Sequence, residues 1–309
     1  LGKIQAKFMT DIASPRFAFV AVLGAPNVGK STLINRLVGT KVSIVSPKVQ
    51  TTRARVLGIT IADAAQIVFI DTPGVFEPKR RLDRAMVAAA WTGAADADRV
   101  CLLVDAAKGI DRDTAAIVKR LAKQGKHADL VLNKIDLVKK TVLLDLADRL
   151  NQEGLFDDIF MISAERGDGV DDLLAHLAGA APEGPWMFPE DQISDMPERL
   201  LAAEITREKL YLQLRQELPY SATVETEGWT EMDDGSARIE QIIYVQRDTQ
   251  KAIVLGKKGA RIKSIGADAR LELEELLDRR VHLFLFVKVR EKWGDDPERY
   301  RDWGLDYNA

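Results

Sequence analysis

The run Gly24-Ala25-Pro26-Asn27-Val28-Gly29-Lys30-Ser31 decides how the first half of the chain is read. A glycine, four residues, a second glycine, lysine and a hydroxyl residue form the spacing at which a backbone loop can close around phosphate oxygens. The glycines permit the tight wrap, so that amide N–H groups point inward. The helix that follows adds its positive end. Lys30 is placed to reach the β and γ phosphates and the Ser31 hydroxyl to reach a magnesium ion, with Thr32 beside them counted among the nucleotide-binding residues. The local context agrees, because an apolar run at 17–23 precedes the loop and an amphipathic pattern at 30–37 follows it.

Outward from this loop, further short apolar runs at 56–61, 66–70, 100–104, 130–132 and 159–162 are separated by amphipathic stretches such as 111–123 and 170–177. Such alternation predicts an α/β unit, a doubly wound and mostly parallel sheet with helices on both faces, over residues 15–181. Residues 182–197 carry four prolines around Trp186, Met187 and Phe188. Proline excludes helix and central strand, so this is a linker, with the three large side chains expected to dock on a neighbouring domain.

After residue 197 the order changes. A long helix at 198–217 precedes strands at 221–229 and 238–245, joined through Asp233-Asp234-Gly235, a good hairpin turn. A short helix, a glycine-bounded loop, a helix at 260–277 and a strand at 281–289 follow. The order α-β-β-α-α-β predicts a smaller α+β domain over 198–309. Residues 1–14 are expected to be a tail outside the fold.

Composition narrows the function classes. The 309 residues carry 29% charged and 46% apolar residues, values of an ordered globular chain, and a formal net charge of −3. Any basic surface must therefore be local. No apolar stretch approaches the roughly 20 residues that span a bilayer. The single cysteine, Cys101, lies in an apolar run and reads as a buried hydrophobe in a reducing compartment. His127, His176 and His282 are scattered, and the sequence shows no metal set among them.

Later segments choose the nucleotide. Asp71-Thr72-Pro73-Gly74 follows the run 66–70, where a carboxylate can hold the metal, usually through water, and a glycine N–H can meet the γ phosphate. Asn133-Lys134-Ile135-Asp136 follows another apolar run. The Asp136 carboxylate can accept from guanine N1–H and the 2-amino group; adenine lacks that pair and would leave the carboxylate unpaired. Asn133 can bond the base edge and the Lys134 stem can cover the ring. Ser163-Ala164-Glu165 ends the sixth run, where the Ala164 amide can reach guanine O6.

With these motifs in order, the chain resembles the translation-factor-like branch of the GTPases and, within it, the Era family, over nearly everything from about residue 17 onward. Gln50-Thr51-Thr52-Arg53, Pro189-Glu190-Asp191-Gln192-Ile193-Ser194-Asp195, Glu217-Leu218-Pro219-Tyr220-Ser221 and Gly256-Lys257-Lys258-Gly259 also carry the likeness. The resemblance implies that residues 46–53 are a first switch loop, with Thr52, or alternatively Thr51, ligating magnesium. It implies GTP hydrolysis involving Lys30, Thr52, Asp71 and Gly74, and a potassium ion beside Asn27. Val75 stands where Ras-like enzymes carry a water-orienting glutamine, so slow intrinsic hydrolysis is expected. The implied partner is the 3′ end of 16S rRNA in the small ribosomal subunit, with a role in its assembly or maturation. A monomer in the cytoplasm, peripherally associated with the inner membrane and without a DNA partner, is the expectation.

The loop Gly256-Lys257-Lys258-Gly259 between two helices is the KH arrangement, of the bacterial type by its element order, in which the loop clamps the backbone of single-stranded RNA. From 247 to 263 there are six basic residues, Arg247, Lys251, Lys257, Lys258, Arg261 and Lys263, against one acid, Asp248. That stripe is the local footprint hidden by the net charge. Most of Ile253, Val254, Leu255 and Ile262 are assigned to core. Glu272, Glu274, Glu275 and Asp278 read as a solvated helix face, and Trp293, Tyr300, Trp303 and Tyr307 as packing. Two other functions fit fewer residues: a signalling switch whose KH unit binds protein, and a GTP-regulated enzyme, for which no second catalytic set is found.

Overall fold

The computed structural model describes residues 14–48, 51–214 and 218–309. Most of the expected N-terminal tail, Gln50 and Glu217 lie outside the described residues. The runs read from sequence become β1 (Arg16–Leu23), β2 (Val56–Ala62), β3 (Ala65–Asp71), β4 (Arg99–Asp105), β5 (Ala128–Asn133) and β6 (Phe156–Ile162). They form one sheet in the order β2-β3-β1-β4-β5-β6, parallel except for the β2–β3 pair. β3 and β5 are buried along their whole length, as strands covered on both faces must be.

Five helices cover the sheet: α1 (Lys30–Val38), α2 (Arg81–Asp96), α3 (Arg112–Gln124), α4 (Lys140–Asn151) and α5 (Val170–Ala180). Leu33, Ile34 and Leu37 of α1 and Leu173 and Leu177 of α5 enter one core with Val20, Val22 and Phe69. Ile117 and Leu121 of α3 and Leu143, Leu146 and Leu150 of α4 enter the opposite core with Leu102, Val104, Leu130 and Leu132. The chain order reverses beside β1, whose carboxyl end feeds the loop 24–29. That is the position at which an open α/β sheet leaves a ligand crevice.

The linker follows the sheet's outer strands. Trp186 Nε1 donates to the Ala64 carbonyl at 3.1 Å, and the Met187 and Phe188 amides donate to Gln66 Oε1 at 3.0 Å each. Phe188 packs against the cluster of Phe17, Leu57 and Ile59. Met187 departs from expectation, because its backbone is held while its side chain remains exposed. Farther on, the Ile59 amide donates to the Ile193 carbonyl at 2.9 Å. The linker thus occupies part of the open edge of β2.

The second unit has α6 (Glu198–Gln213), β7 (Ala222–Glu231), β8 (Ala237–Val245), α7 (Asp248–Leu255), α8 (Ala260–Leu277) and β9 (Val281–Val289). β7 pairs antiparallel and β9 parallel with β8. The helix expected to run to residue 217 ends at Gln213. Ala203, Leu210, Tyr211, Val254 and Ile265 form its core with Val224, Ile243 and Val287. The terminal aromatics pack, as expected. Trp293, Tyr300 of α9 (Pro297–Asp302) and Trp303 meet Ile242 and Tyr244 of the second sheet together with Ala85 and Met86 of α2. No helix among the described residues is long and apolar enough to cross a membrane.

Candidate functional site

The loop 24–29 and α1 bound a cavity of about 340 Å³, lined by Pro26, Asn27, Gly29, Lys30, Ser31, Thr32, Ile44 to Pro47, Thr51, Thr52, Gly74, Lys108 and Lys134. Gly29 sits at the start of α1 with φ +102°, and a Cβ there would lie 2.4 Å from Asn133 Nδ2. No other residue type fits without moving β5's end. Ala25 and Val28 turn into the core. Lys30 is 6% exposed, and its Nζ donates to the carbonyls of Gly24 at 3.2 Å and Ala25 at 3.1 Å. Burial pulls its pKa down to about 8, against the favourable charge of Asp71. An ammonium held this dry, with only carbonyls as direct partners, is prepared for an anion.

Ser31 Oγ donates to Asp71 Oδ2 at 2.9 Å and lies 3.0 Å from Thr52 Oγ1, which is 3.3 Å from the same carboxylate oxygen. Asp71 Oδ1 is buried with no partner, and burial raises the pKa of this carboxyl. Two cis ligands of an octahedral ion with bonds of about 2.1 Å stand about 3.0 Å apart. The Ser31–Thr52 pair has that separation, so these oxygens fit magnesium. Thr51 is turned elsewhere: its hydroxyl donates to the Lys48 carbonyl at 2.7 Å and lies 2.7 Å from Ser46 Oγ. Of the two threonines left open by the sequence, the geometry brings Thr52 to Ser31.

The loop after β3 closes the cavity floor. Thr72 Oγ1 donates to the Val22 carbonyl at 2.8 Å, the Val75 amide to the Gly24 carbonyl at 3.1 Å, and a Cβ on Gly74 would strike Pro26 Cα at 2.9 Å. Pro73 is the rigid link between them. The Val75 side chain is buried with Leu23 and Trp91 and does not line the cavity.

At the base end the motif residues also bond one another. Lys134 Nζ donates to the Asn27 carbonyl at 2.8 Å and pairs with Asp105 at 2.7 Å, which stretches its stem along the cavity. Asp136 accepts from Ser163 Oγ at 2.7 Å, and this bond, with Arg166 nearby, holds its carboxyl below the usual range. The charged acceptor needed for guanine is therefore maintained. Asn133, read as a base contact, donates one N–H to the Val28 carbonyl at 2.8 Å and accepts the Ala164 amide at 2.9 Å. These bonds tie three loops together and leave Asn133 Nδ2 a second N–H for a base edge. Ile135 packs into the core, and Glu165 offers its backbone carbonyl to Arg36.

In the second unit Gly256, Lys257, Lys258 and Gly259 turn between α7 and α8, with Lys257 and Lys258 exposed. Gly256 has φ +71°, and a Cβ on it would meet Arg261 Cβ at 2.7 Å. Arg261 donates to the Ile253 carbonyl at 2.6 Å, closing the end of α7, and Lys263 is exposed. Val254 is in the core, with Leu255 and Ile262 against it, but Ile253 is 47% exposed beside the loop. Most of the four are in or against the core, as expected; Ile253 is the exception, because the turn to the glycine loop leaves that helix face uncovered.

Known proteins match along the same lines. The chain matches the family described as 50S ribosome-binding GTPase over residues 19–134 and the KH domain family over 217–294. The GTPase Era of Afipia carboxidovorans is 62% identical over 94% of this chain and 95% of that relative. The chain belongs to the Era family of GTPases. Era of Brucella suis is 59% identical over 99% of this chain and 98% of its own. A crystal structure of Era in complex with MgGDPNP and nucleotides 1506–1542 of 16S ribosomal RNA is similar at a TM-score of 0.89, with 42% identity over 94% of this chain and 99% of that one. A variant of Aquifex aeolicus Era bound to GDP and AlF4− gives a TM-score of 0.88 at 42% identity, over the same shares of both chains.

Several residues of this Era-family site carry no motif signal. Asp105, which holds Lys134, is a strand-end acid like many others. Arg53 lies within the resemblance, but its partners Tyr211 and Ala222 are more than 150 positions away. Glu272, read as solvated, pairs with Lys41 across the two units and with Lys209 within the second, and Glu274 accepts the Val281 amide at 3.1 Å. His176 does approach Asp129 and Asp158, a grouping not visible in the sequence, which shows no metal set. Arg99 already satisfies Asp129 through two hydrogen bonds at 2.9 and 3.1 Å, and a cation there would have to displace it.

Proposed function

We propose that this chain is a slowly GTP-hydrolysing switch that uses magnesium and holds the 3′ end of 16S rRNA through its KH-type loop, serving assembly or maturation of the small ribosomal subunit. The observation that carries the reading is the meeting of Ser31, Thr52 and Asp71 oxygens within 3.3 Å of one another beside the buried Lys30. Bound magnesium would neutralise phosphate charge as it develops. Around it, Lys30 grips the β and γ phosphates, the Gly74 N–H meets the γ phosphate, and Asp136 with Lys134 selects and covers guanine.

Val75 gives an attacking water nothing to bond, so hydrolysis by the isolated chain is slow and rises with a bound partner or ion. Asn27 lines the cavity and donates to the Pro47 carbonyl at 3.0 Å, which ties the phosphate loop to the switch loop. A potassium ion beside Asn27 is part of the proposal. Equal rates in potassium and sodium buffers would remove it.

For the RNA, Lys257 and Lys258 clamp the backbone while exposed Ile253 meets an unstacked base; Arg261 and Lys263 add positive charge. The relative solved with nucleotides of 16S rRNA supports this choice of ligand. A cytoplasmic location with peripheral contact to the inner membrane rests on the family resemblance alone. Crosslinking the full chain to ribosomal RNA, with a GTP analogue and with GDP, tests the whole reading. Nucleotide-dependent adducts at the 16S 3′ end are expected, and adducts only elsewhere, or none, contradict it.

A further inference from the structure

Four residues on one face of α6, Glu204, Arg207, Glu208 and Tyr211, are buried against the loop that carries Thr52. Their spacing of three, four and seven places them in one helical stripe. Glu208 Oε1 accepts the Val45 amide at 2.7 Å, and Lys41 pairs with the other oxygen at 2.7 Å. Arg207 Nη2 donates to the Thr51 carbonyl at 2.6 Å, with Glu204 holding its Nε at 2.7 Å. From the loop itself, the Arg53 guanidinium reaches into the second unit. It is 2% exposed, donates to Tyr211 Oη at 2.6 Å and to the Ala222 carbonyl at 3.1 Å, and lies 5.2 Å from the Trp293 ring.

Thr52 therefore sits between two anchored neighbours, the Thr51 carbonyl and the Arg53 side chain. Both anchors belong to the second unit and neither touches the nucleotide cavity's phosphate loop. A buried arginine stripe is an expensive way to gain stability. Arg53 Nε and Arg207 Nη1 are moreover buried without partners. Apart from the Glu204–Arg207 pair within α6, the polar bonds named fix backbone or side-chain atoms of the loop, which is what a site tolerant of only about 0.5 Å of error requires.

We propose that α6, through Arg207 and Tyr211, is a positioning element for GTP hydrolysis: it holds Thr51 and Arg53 so that the Thr52 hydroxyl stays beside Ser31 at the metal position. The inference rests on the proposed function. The KH-bearing unit is then a structural part of the GTPase site, and GDP, which needs the phosphate loop and Asp136 but not Thr52, binds independently of it.

The test uses the full chain. Arg207→Met with Glu204→Gln removes both charges, so no carboxylate is left buried alone. Tyr211→Phe removes only the hydroxyl that accepts Arg53. In the double variant the Mg2+ concentration for half-maximal GTP hydrolysis rises about tenfold and kcat falls about tenfold or more, while GDP affinity stays within about twofold. Tyr211→Phe shifts the Mg2+ requirement in the same direction by about threefold, and Arg207→Lys recovers part of the loss by donating to the Thr51 carbonyl. Mg2+ curves superimposable on the parent's in a folded variant overturn the proposal. Loss of GDP and GTP binding together by the double variant in its folded state also overturns it, because the effect is then not on Thr52. Failure of the unsubstituted chain to bind either nucleotide would instead remove the function on which the inference rests.

Discussion

Two glycine-framed basic loops in this molecule, both proposed to meet phosphates, are built on opposite principles. Lys30 is buried at the start of α1, is desolvated, and has its pKa lowered to about 8. Lys257 and Lys258 stand in water between α7 and α8. The first loop has paid the desolvation cost in advance, so an arriving triphosphate meets a poorly solvated cation with few competitors. The second keeps its charges hydrated and screened, and so binds an extended polyanion with little demand on its sequence. One arrangement gives a selective and deep site, the other a reversible and salt-sensitive one.

Removing Lys30 should show the largest contrast. Lys30→Ala is expected to lower GTP hydrolysis by about 10³-fold, since it removes the charge nearest the transferred phosphoryl group. RNA binding without nucleotide should be unchanged. A steady-state phosphate-release assay beside a filter-binding assay reads both. Substituting both Lys257 and Lys258 by Ala should act on the other side alone. RNA affinity should fall about tenfold at low salt, and the slope of log K against log salt should flatten by about 1.4, the value for two lost contacts to a single strand. Hydrolysis without RNA should not move.

The smallest effect is in pH. Lys30's folded pKa of about 8 lies below its usual 10.5, so between these values the unfolded chain binds more protons. The nucleotide-free fold therefore gains stability as pH rises through that window. Bound phosphates raise the Lys30 pKa, so the complex takes up a proton and GTP affinity declines as pH passes 8. Calorimetry in two buffers of different ionisation enthalpy near pH 8.5 should report proton uptake.

The same contrast explains what could be read from the sequence. The phosphate loop compresses its chemistry into eight adjacent residues, and each later motif ends a strand whose apolar run is visible in the sequence. The six strands, the helix order and the place of Asp71 and Asp136 were therefore legible. The anchoring of the Thr52 loop was not, because Arg53 meets Tyr211 and Arg207 meets Thr51 across roughly half the chain. Neither contact leaves a period or spacing along the sequence. Which of the four apolar residues around the loop stays outside the core was hidden for a related reason: apolar character marks them all for burial, but only the turn at Gly256 shows that no neighbour arrives to cover Ile253. Asn133 shows a third limit, since a motif names the residue types at a site and not which of them also bond each other.

The account depends most on Asp136 keeping its charge under the Ser163 hydroxyl, and on Lys30 with the Ser31–Thr52 pair gripping the triphosphate beside it. Titration calorimetry of non-hydrolysable GTP and ATP analogues into the full chain, with magnesium, tests that directly. A preference for the guanine nucleotide of about 10³-fold or more is predicted, because adenine would leave the carboxylate without its two donors. Equal affinities for the two analogues, or no binding of either, would contradict it.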